Sequence, residues 1–267
     1  MVGSQARREA VLYCKKQYKI SERVACEQIN ISRSTYRYKK RKNDDKKIKT
    51  KILNIAKKHS CYGYRRINAI LRRKKIFMNH KKVYRLYTEL NLANRTVRKK
   101  KYSNRATGAQ DTALSINELW AMDFMSDRLV YGKKIRILNI IDTYSRECLS
   151  IEVSTSFPSV EVIKKLEIII KNRVVPKTIR LDNGPEYISK AIINWAIEKN
   201  IKLAYIPPGK PFENGHIESF NGKFRKEFLD QNIFKSILET KVLAKLWKEY
   251  YNKRRPHSSL NYMTPEE

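Results

Sequence analysis

The sequence is short of acids. Against 58 lysines and arginines stand 26 aspartates and glutamates, which leaves a formal net charge of +32. Like charges at that density repel one another in a compact fold unless a polyanion neutralises them, so the surface is not that of an ordinary metabolic enzyme. Cysteine is scarce as well. Cys14, Cys26, Cys61 and Cys148 lie far apart with no Cys-x-x-Cys pair, which excludes a disulfide framework and a zinc ribbon and suits a reducing cytosol. Long apolar runs are missing: the aliphatic stretch at Leu166 to Ile170 falls far short of the roughly 20 residues of a membrane span. The first thirty residues hold no apolar leader segment, and the expectation is a soluble cytoplasmic protein with no membrane partner. What is present is enough to fold. With 267 residues, 41% hydrophobic and 10% aromatic, the chain can build one large core or two to three small ones.

The charge is unevenly placed. Residues 1–110 hold 33 basic and 6 acidic side chains, whereas residues 111–267 hold 25 and 20. Nucleic acid is the polyanion this implies; a membrane-surface helix would gather its cations on one long amphipathic face, and here they alternate with short helical turns. Ala10, Val11, Cys14 and Tyr18 predict a helix over Ser4 to Tyr18, and Ser21 caps a second helix carrying Val24, Ala25 and Gln28. Ser32 caps a third that opens Arg33-Ser34-Thr35-Tyr36-Arg37, with Lys39, Lys40 and Arg41 behind it. This is helix-turn-helix spacing. Alone it suits any three-helix bundle equally, but the basic, small-polar helix start can reach base edges and phosphates through Arg33, Ser34, Thr35 and Arg37.

The pattern recurs with helices near Ile48 to Lys58, over Ile67, Ile70 and Leu71, and from Asn79 over Val83, Leu86 and Leu90, decorated by Arg65, Arg66 and other cations. From Ala93 to Ser115 the chain turns basic and rich in Asn, Ser, Thr and Gly, which reads as a linker able to lie along phosphates through Lys99 and Lys100. Beyond it come β-rich runs at Leu119 to Met125, Ile135 to Ile141 and Cys148 to Val153. A helix over Val160 to Lys171, a strand from Thr178 to Leu181, a helix over Ala191 to Glu198 and a strand from Ile201 to Ile206 follow. Three antiparallel strands followed by crossover units predict an α/β core: a mixed five-stranded sheet with flanking helices, the ribonuclease H-like arrangement, preceded by an all-α DNA-binding region.

Three carboxylates stand out within this frame. Asp123 interrupts an apolar strand, where an unpaired carboxylate is costly unless a cation or hydrogen bonds compensate it. Asp182 closes the strand that a crossover fold sets beside the first, although Asp182-Asn183-Gly184 is also ordinary turn chemistry. Glu218 lies early in a helix whose apolar side is Ile217, Phe220, Phe224 and Phe228, and alone it is a surface acid. Glu213 is the competing acid. Pro207, Pro208, Gly209 and Pro211 hold it in irregular chain before Asn214, the first good cap, whereas Glu218 falls in the first turns and shares a face with Gly222 and Arg225. Together Asp123, Asp182 and Glu218 are a set that hard divalent cations suit.

Between Asp182 and Glu218 lie 35 residues. With the predicted order of elements, this spacing resembles the DDE transposase and retroviral integrase superfamily. More narrowly, the chain resembles the downstream-frame (OrfB-type) product of the insertion-sequence-three family of bacterial transposases. The residues that carry the likeness are Ser32-Arg33-Ser34-Thr35-Tyr36, Tyr62-Gly63-Tyr64-Arg65-Arg66, Trp120-x-x-Asp123, Ile141-Asp142-x-Tyr144-Ser145-Arg146 and Asp182-Asn183-Gly184. Further along stand Pro208-Gly209-Lys210-Pro211-x-x-Asn214-Gly215-x-x-Glu218-Ser219-Phe220 and Tyr251-Asn252-x-x-Arg255-Pro256-His257.

The resemblance implies an enzyme that binds the terminal repeats of its own mobile element, cuts DNA to free 3′-hydroxyls and joins them to target DNA. Asp123, Asp182 and Glu218 would be catalytic and hold two Mg2+ ions, with Mn2+ able to substitute. The basic residue this family carries seven positions past the glutamate would be Arg225, a phosphate contact. The same resemblance implies a homo-oligomer on double-stranded DNA, associated with the nucleoid, fused to or assisted by an upstream-frame protein. The predicted partition is a helix-turn-helix unit over 1–45, a second over 46–92, the basic linker over 93–115, an integrase-type catalytic core over 116–230 and a C-terminal helix and tail over 231–267. The competing class is a catalytically inactive DNA-binding regulator of transposition.

Other groups read as structural. Asp142 is expected to hold the second hairpin, Asp127 a turn and Glu186 a helix start; the four histidines lack zinc spacing, and no zinc is expected. Thr264-Pro265-Glu266-Glu267 reads as a helix start with no helix after it, so the expectation is a truncated frame.

Overall fold

The computed structural model describes residues 3–39, 45–93, 113–184, 186–207 and 214–267. Contacts divide the chain into two compact units, Met1–Thr50 and Lys51–Glu267. In the first, α1 (Ser4–Tyr18), α2 (Glu22–Gln28) and α3 (Arg33–Arg37) bury Val11, Ala25 and Cys26, with Ile20, Ile29 and Tyr36 packed around them. The two predicted serine caps form: the Ser21 hydroxyl accepts Val24 N at 3.4 Å and that of Ser32 accepts Thr35 N at 3.2 Å. Asn30 makes the turn between α2 and α3 at φ +52°, a left-handed position that asparagine tolerates. Helix α4 (Asp45–Lys58) crosses the boundary between the units.

The second unit continues with α5 (Tyr64–Arg73) and α6 (His80–Glu89), capped by the Asn79 side chain on Lys81 N at 2.9 Å. Their apolar stripes, Ile67 and Leu71 on α5 and Val83 and Leu86 on α6, are buried. A five-stranded sheet follows in the order β3-β2-β1-β4-β5, built from β1 (Leu119–Arg128), β2 (Lys134–Asp142), β3 (Cys148–Ser154), β4 (Thr178–Leu181) and β5 (Lys202–Tyr205). The first three strands are antiparallel; β4 runs parallel to β1 and β5 parallel to β4. This is the expected mixed sheet. Strand β1 extends three residues past the predicted Met125, because Ser126, Asp127 and Arg128 find partners in Arg136, Ile135 and Lys134 across the hairpin.

Alternation along β1 separates two cores. Trp120 and Met122 face α7 (Ser159–Ile170) and α8 (Lys190–Glu198), in a cluster with Val162, Leu166, Ile192 and Trp195. Ala121 and Met125 face the other way, against Ile217, Phe220 and Phe224 of α9 (Gly215–Glu227) and Trp247 and Tyr251 of α10 (Ile237–Lys253). Residue 123 lies between Ala121 and Met125, so the pleat turns its side chain toward α9.

The α5–α6 pair is fastened to this second layer by polar contacts. Arg66 Nη1 donates to Glu227 at 3.1 Å, the hydroxyls of Tyr62 and Tyr250 meet at 2.5 Å, and Cys61 Sγ donates to the Lys226 carbonyl at 3.3 Å. At its C-terminal end Arg73 bonds the carbonyls of Arg254 and Tyr262 and the Glu267 carboxylate. Residues Thr264 and Glu267 exchange the reciprocal bonds of a capping box, Thr264 N to Oε2 at 2.7 Å and Glu267 N to Oγ1 at 3.3 Å. Among the described residues, no helix is long and apolar enough to cross a membrane.

Candidate active site

Strand register sets the frame of the site. Ala121 of β1 pairs with Arg180 of the parallel strand β4, so two residues further on Asp123 and Asp182 come level at the C-terminal ends of neighbouring strands. Glu218 rises from the first turn of α9, the helix that packs on the face toward which Asp123 points. Asp123 is half-buried, whereas Asp182 and Glu218 are exposed.

Burial pushes the Asp123 carboxyl up to about 6, and the negative charges of Asp182 and Glu218 push in the same direction. Two hydrogen bonds oppose them: Phe124 N donates to Oδ1 at 2.8 Å and Asn221 Nδ2 to Oδ2 at 2.7 Å. Asp182 takes the turn position expected of it, accepting Gly184 N at 3.0 Å. Asp123 therefore feels the charges of the other two carboxylates, although among the described residues no three His, Cys, Asp or Glu stand close enough to share one ion. As donors they suit a hard divalent cation: all are oxygen ligands, and their mutual repulsion is what such a cation relieves.

Asn221 is the residue that reading the sequence missed. It sits one turn past Glu218, is buried, and bridges two strands: its amide donates to Asp123, while its Oδ1 accepts Asn139 Nδ2 at 2.8 Å. Asn139 is the cross-strand partner of Asp123 in the β1–β2 ladder, so a chain of amides runs from the middle of the sheet to the carboxylate. Asp142, read as structural, accepts Asn117 N, Tyr144 N, Ser145 N and the Ser145 hydroxyl and is fully buried. Glu186 is tied to Arg136 of β2, whose guanidinium lies 4.2 Å over the Phe124 ring.

The predicted DNA contacts are spread over both units. In the first, Arg33 is exposed at the start of α3, the Ser34 and Thr35 hydroxyls bond the Ser32 cap at 3.0 and 2.7 Å, and Arg37 pairs with Glu22 at 2.6 Å. In the second, Arg65 Nε donates to the Tyr64 hydroxyl at 3.1 Å, Arg66 is paired with Glu227, and Arg225 Nη2 donates to the Ser126 carbonyl at 2.9 Å. Lys99, Lys100 and Glu213 lie outside the described residues. Asn214 corrects one expectation. It stands at the N-cap of α9, but its side chain makes no capping bond, because its backbone at φ −99°, ψ 20° departs from the extended geometry that aims a cap at the next turn.

Residues 114–211 match the integrase core domain family, residues 199–265 match a second family of that description, and residues 42–101 match the HTH-like domain family. The chain is 36% identical over 251 residues to a 31.7 kDa protein of insertion element IS407 from Burkholderia multivorans, covering 93% of this chain and 90% of that protein. It is 27% identical over 266 residues to the putative transposase InsK of insertion sequence element IS150 from Escherichia coli, covering 94% and 93%. The fold is similar to a chain of the simian T-cell lymphotropic virus intasome, with a TM-score of 0.53 and 16% identity over 80% of this chain and 73% of that one.

Sheet order, helical N-terminal region and matched domains together define a polynucleotidyl transferase with a DDE-type integrase core. Within that class the chain belongs to the insertion-sequence-three family of transposases, as a downstream-frame, OrfB-type product.

Proposed function

We propose that the chain binds the ends of its insertion sequence, cuts the DNA there to free a 3′-hydroxyl, and joins that hydroxyl to target DNA by a second in-line displacement at phosphorus. The observation that carries this reading is the placing of three carboxylates on three separate elements: Asp123 and Asp182 level on adjacent parallel strands, and Glu218 on the helix packed against the strand of Asp123.

Asp123, Asp182 and Glu218 are the residues that would hold a pair of magnesium ions, with manganese able to substitute. When bound, such ions supply charge neutralisation at the phosphoryl group and acidify water. The chain's own residues do the positioning. Asn221 fixes the Asp123 carboxylate, and Phe124 N holds its second oxygen, so one ligand face is set before any substrate arrives. In this reading residues 1–45 and 46–92 hold the element end, 93–115 lie along phosphates through Lys99 and Lys100, 116–230 cut and join, and 231–267 brace the core. Arg33, Ser34, Thr35, Arg37, Arg65, Arg66 and Arg225 contact DNA. The chain works as a homo-oligomer on DNA in the bacterial cytoplasm, at the nucleoid, alone or with an upstream-frame protein.

A duplex that spans the junction between element and flanking DNA tests this. Incubated with the full chain and magnesium, it should be nicked at the element end, and chelation should stop the reaction. An intact duplex under both conditions, with the chain bound to it, would instead support a DNA-binding regulator.

A further inference from the structure

A cleft of about 680 Å3 opens between the α5–α6 pair and α9, lined by Gly63, Tyr64 and Tyr84 from the helical pair and by Ser219, Gly222 and Lys223 from α9. On α9 Ser219 follows Glu218 in sequence, and Gly222 lies four residues past it, one turn along the helix. Near Lys226 and Glu227 it is closed off by the Cys61 bond to the Lys226 carbonyl and by the Arg66–Glu227 pair.

Three features mark this cleft. Gly222 is an exposed residue within a helix, where glycine is the least favourable choice after proline. Its backbone is not in the left-handed region, and an added Cβ would meet nothing within 4 Å. Neither conformation nor crowding asks for glycine there, so the position keeps open space that a helix former would partly fill. Lys223 is half-buried and forms no ion pair among the described residues. Burial first, and then the charges of Arg255 and Arg66, hold its ammonium down to about 8 against the opposing charge of Glu227, and a further anion in the cleft would relieve that environment. Tyr64 and Tyr84 pack edge to face at 4.9 Å, with Tyr84 more than half exposed.

Cations that track a backbone, beside exposed aromatic rings, are what single-stranded nucleic acid requires of a groove. The volume is that of a site for a small ligand or a nucleotide or two. We propose that this cleft carries one DNA strand from the α5–α6 pair to Glu218, the sugar-phosphate backbone passing over Gly222 with a phosphate against Lys223. The proposal rests on the reading of the chain as a DNA-cutting transposase.

The test sets stability against activity in the full chain. Gly222→Ala should raise the melting temperature by about 2–4 °C, as a helix-propensity gain does, while lowering cutting of the junction duplex at least tenfold. Lys223→Gln should lower cutting to a similar extent. A photo-crosslinking phenylalanine derivative in place of Tyr84 should cross-link to a duplex with a single-stranded tail of element-end sequence, and Gly222→Trp should abolish that cross-link. If Gly222→Ala and Lys223→Gln cut at the parental rate and position 84 yields no cross-link, the cleft proposal is overturned while the transposase reading stands. An uncut duplex that still cross-links from position 84 overturns the cutting reading and keeps the cleft.

Discussion

Glu227 binds Arg255 through both carboxylate oxygens, Nε at 2.7 Å and Nη2 at 2.6 Å, and one of those oxygens also accepts Arg66 Nη1. The Arg255 side chain is 1% exposed, so the pair is buried. Removing one member of such a pair costs roughly 3–5 kcal/mol, because the remaining charge stays buried without a partner. Glu227→Ala should therefore lower the urea midpoint sharply, with both guanidiniums left facing each other. A change under about 1 kcal/mol, the range of exposed pairs, would show that Glu227 is not the clasp between α5, α9 and the C-terminal turn.

Asn221 holds Asp123 from the helix that carries Glu218. Groups that orient metal-binding carboxylates typically cost 10–100-fold when lost. Asn221→Leu should therefore cut the junction duplex about 10–100 times more slowly while binding it as the parent does, measured by single-turnover cleavage beside a gel-shift titration. Equal slowing and weakened binding would point to misfolding of the α9 face instead.

His257 gives the fold a pH dependence with a definite sign. Burial, then the charge of Arg255, hold its imidazole down to about 3, and its Nε2 lies 3.1 Å from the Tyr251 carbonyl. In the unfolded chain an imidazole takes up a proton near pH 6.5. Between those values the unfolded state binds more protons than the folded one, so stability is full above about 6.5 and falls as the pH drops, by up to about 1.4 kcal/mol per unit from this group. Denaturant unfolding from pH 7.5 to 4.5 should show that slope, and His257→Gln should reduce it, leaving the contributions of the same sign from His216, whose imidazole burial holds down to about 4, and from His59, which burial also lowers.

Binding to DNA should weaken steeply with salt, since each phosphate neutralised contributes about −0.9 to the slope of log affinity against log salt. Within that behaviour, Arg33→Ala should narrow the gap between element-end and random duplexes if its exposed guanidinium reads a base edge. Affinity that does not change between low and high salt would remove the electrostatic account of the basic N-terminal half.

The layout of the sheet was legible because its strands carry period-2 or continuous apolar runs bounded by turn residues, and Asp123 was legible because a carboxylate inside such a run demands a reason. The caps at Ser21 and Ser32 were legible for similar local reasons. Asn221 was not, because the helical stripe of Ile217, Phe220 and Phe224 accounts for α9 without it, and its two partners lie on other elements. The role of Glu227 was hidden by distance: Arg255 lies 28 residues away and Arg66 161. Only the folded chain brings together the Tyr62-Gly63-Tyr64-Arg65-Arg66 and Arg255-Pro256-His257 segments. Each stands alone in the sequence, as part of a family likeness.

In the proposed reading Glu218 completes a catalytic set with Asp123 and Asp182. Glu218→Gln keeps the size and hydrogen-bonding capacity of the side chain and removes its charge, so it should leave folding and DNA binding unchanged. The most direct measurement is cutting and joining of element ends by this variant in magnesium, beside Glu213→Gln on the same substrate. Both reactions should be lost in Glu218→Gln and measurable in Glu213→Gln. Cutting and joining by Glu218→Gln at near the parental rate, with binding intact, would contradict that reading.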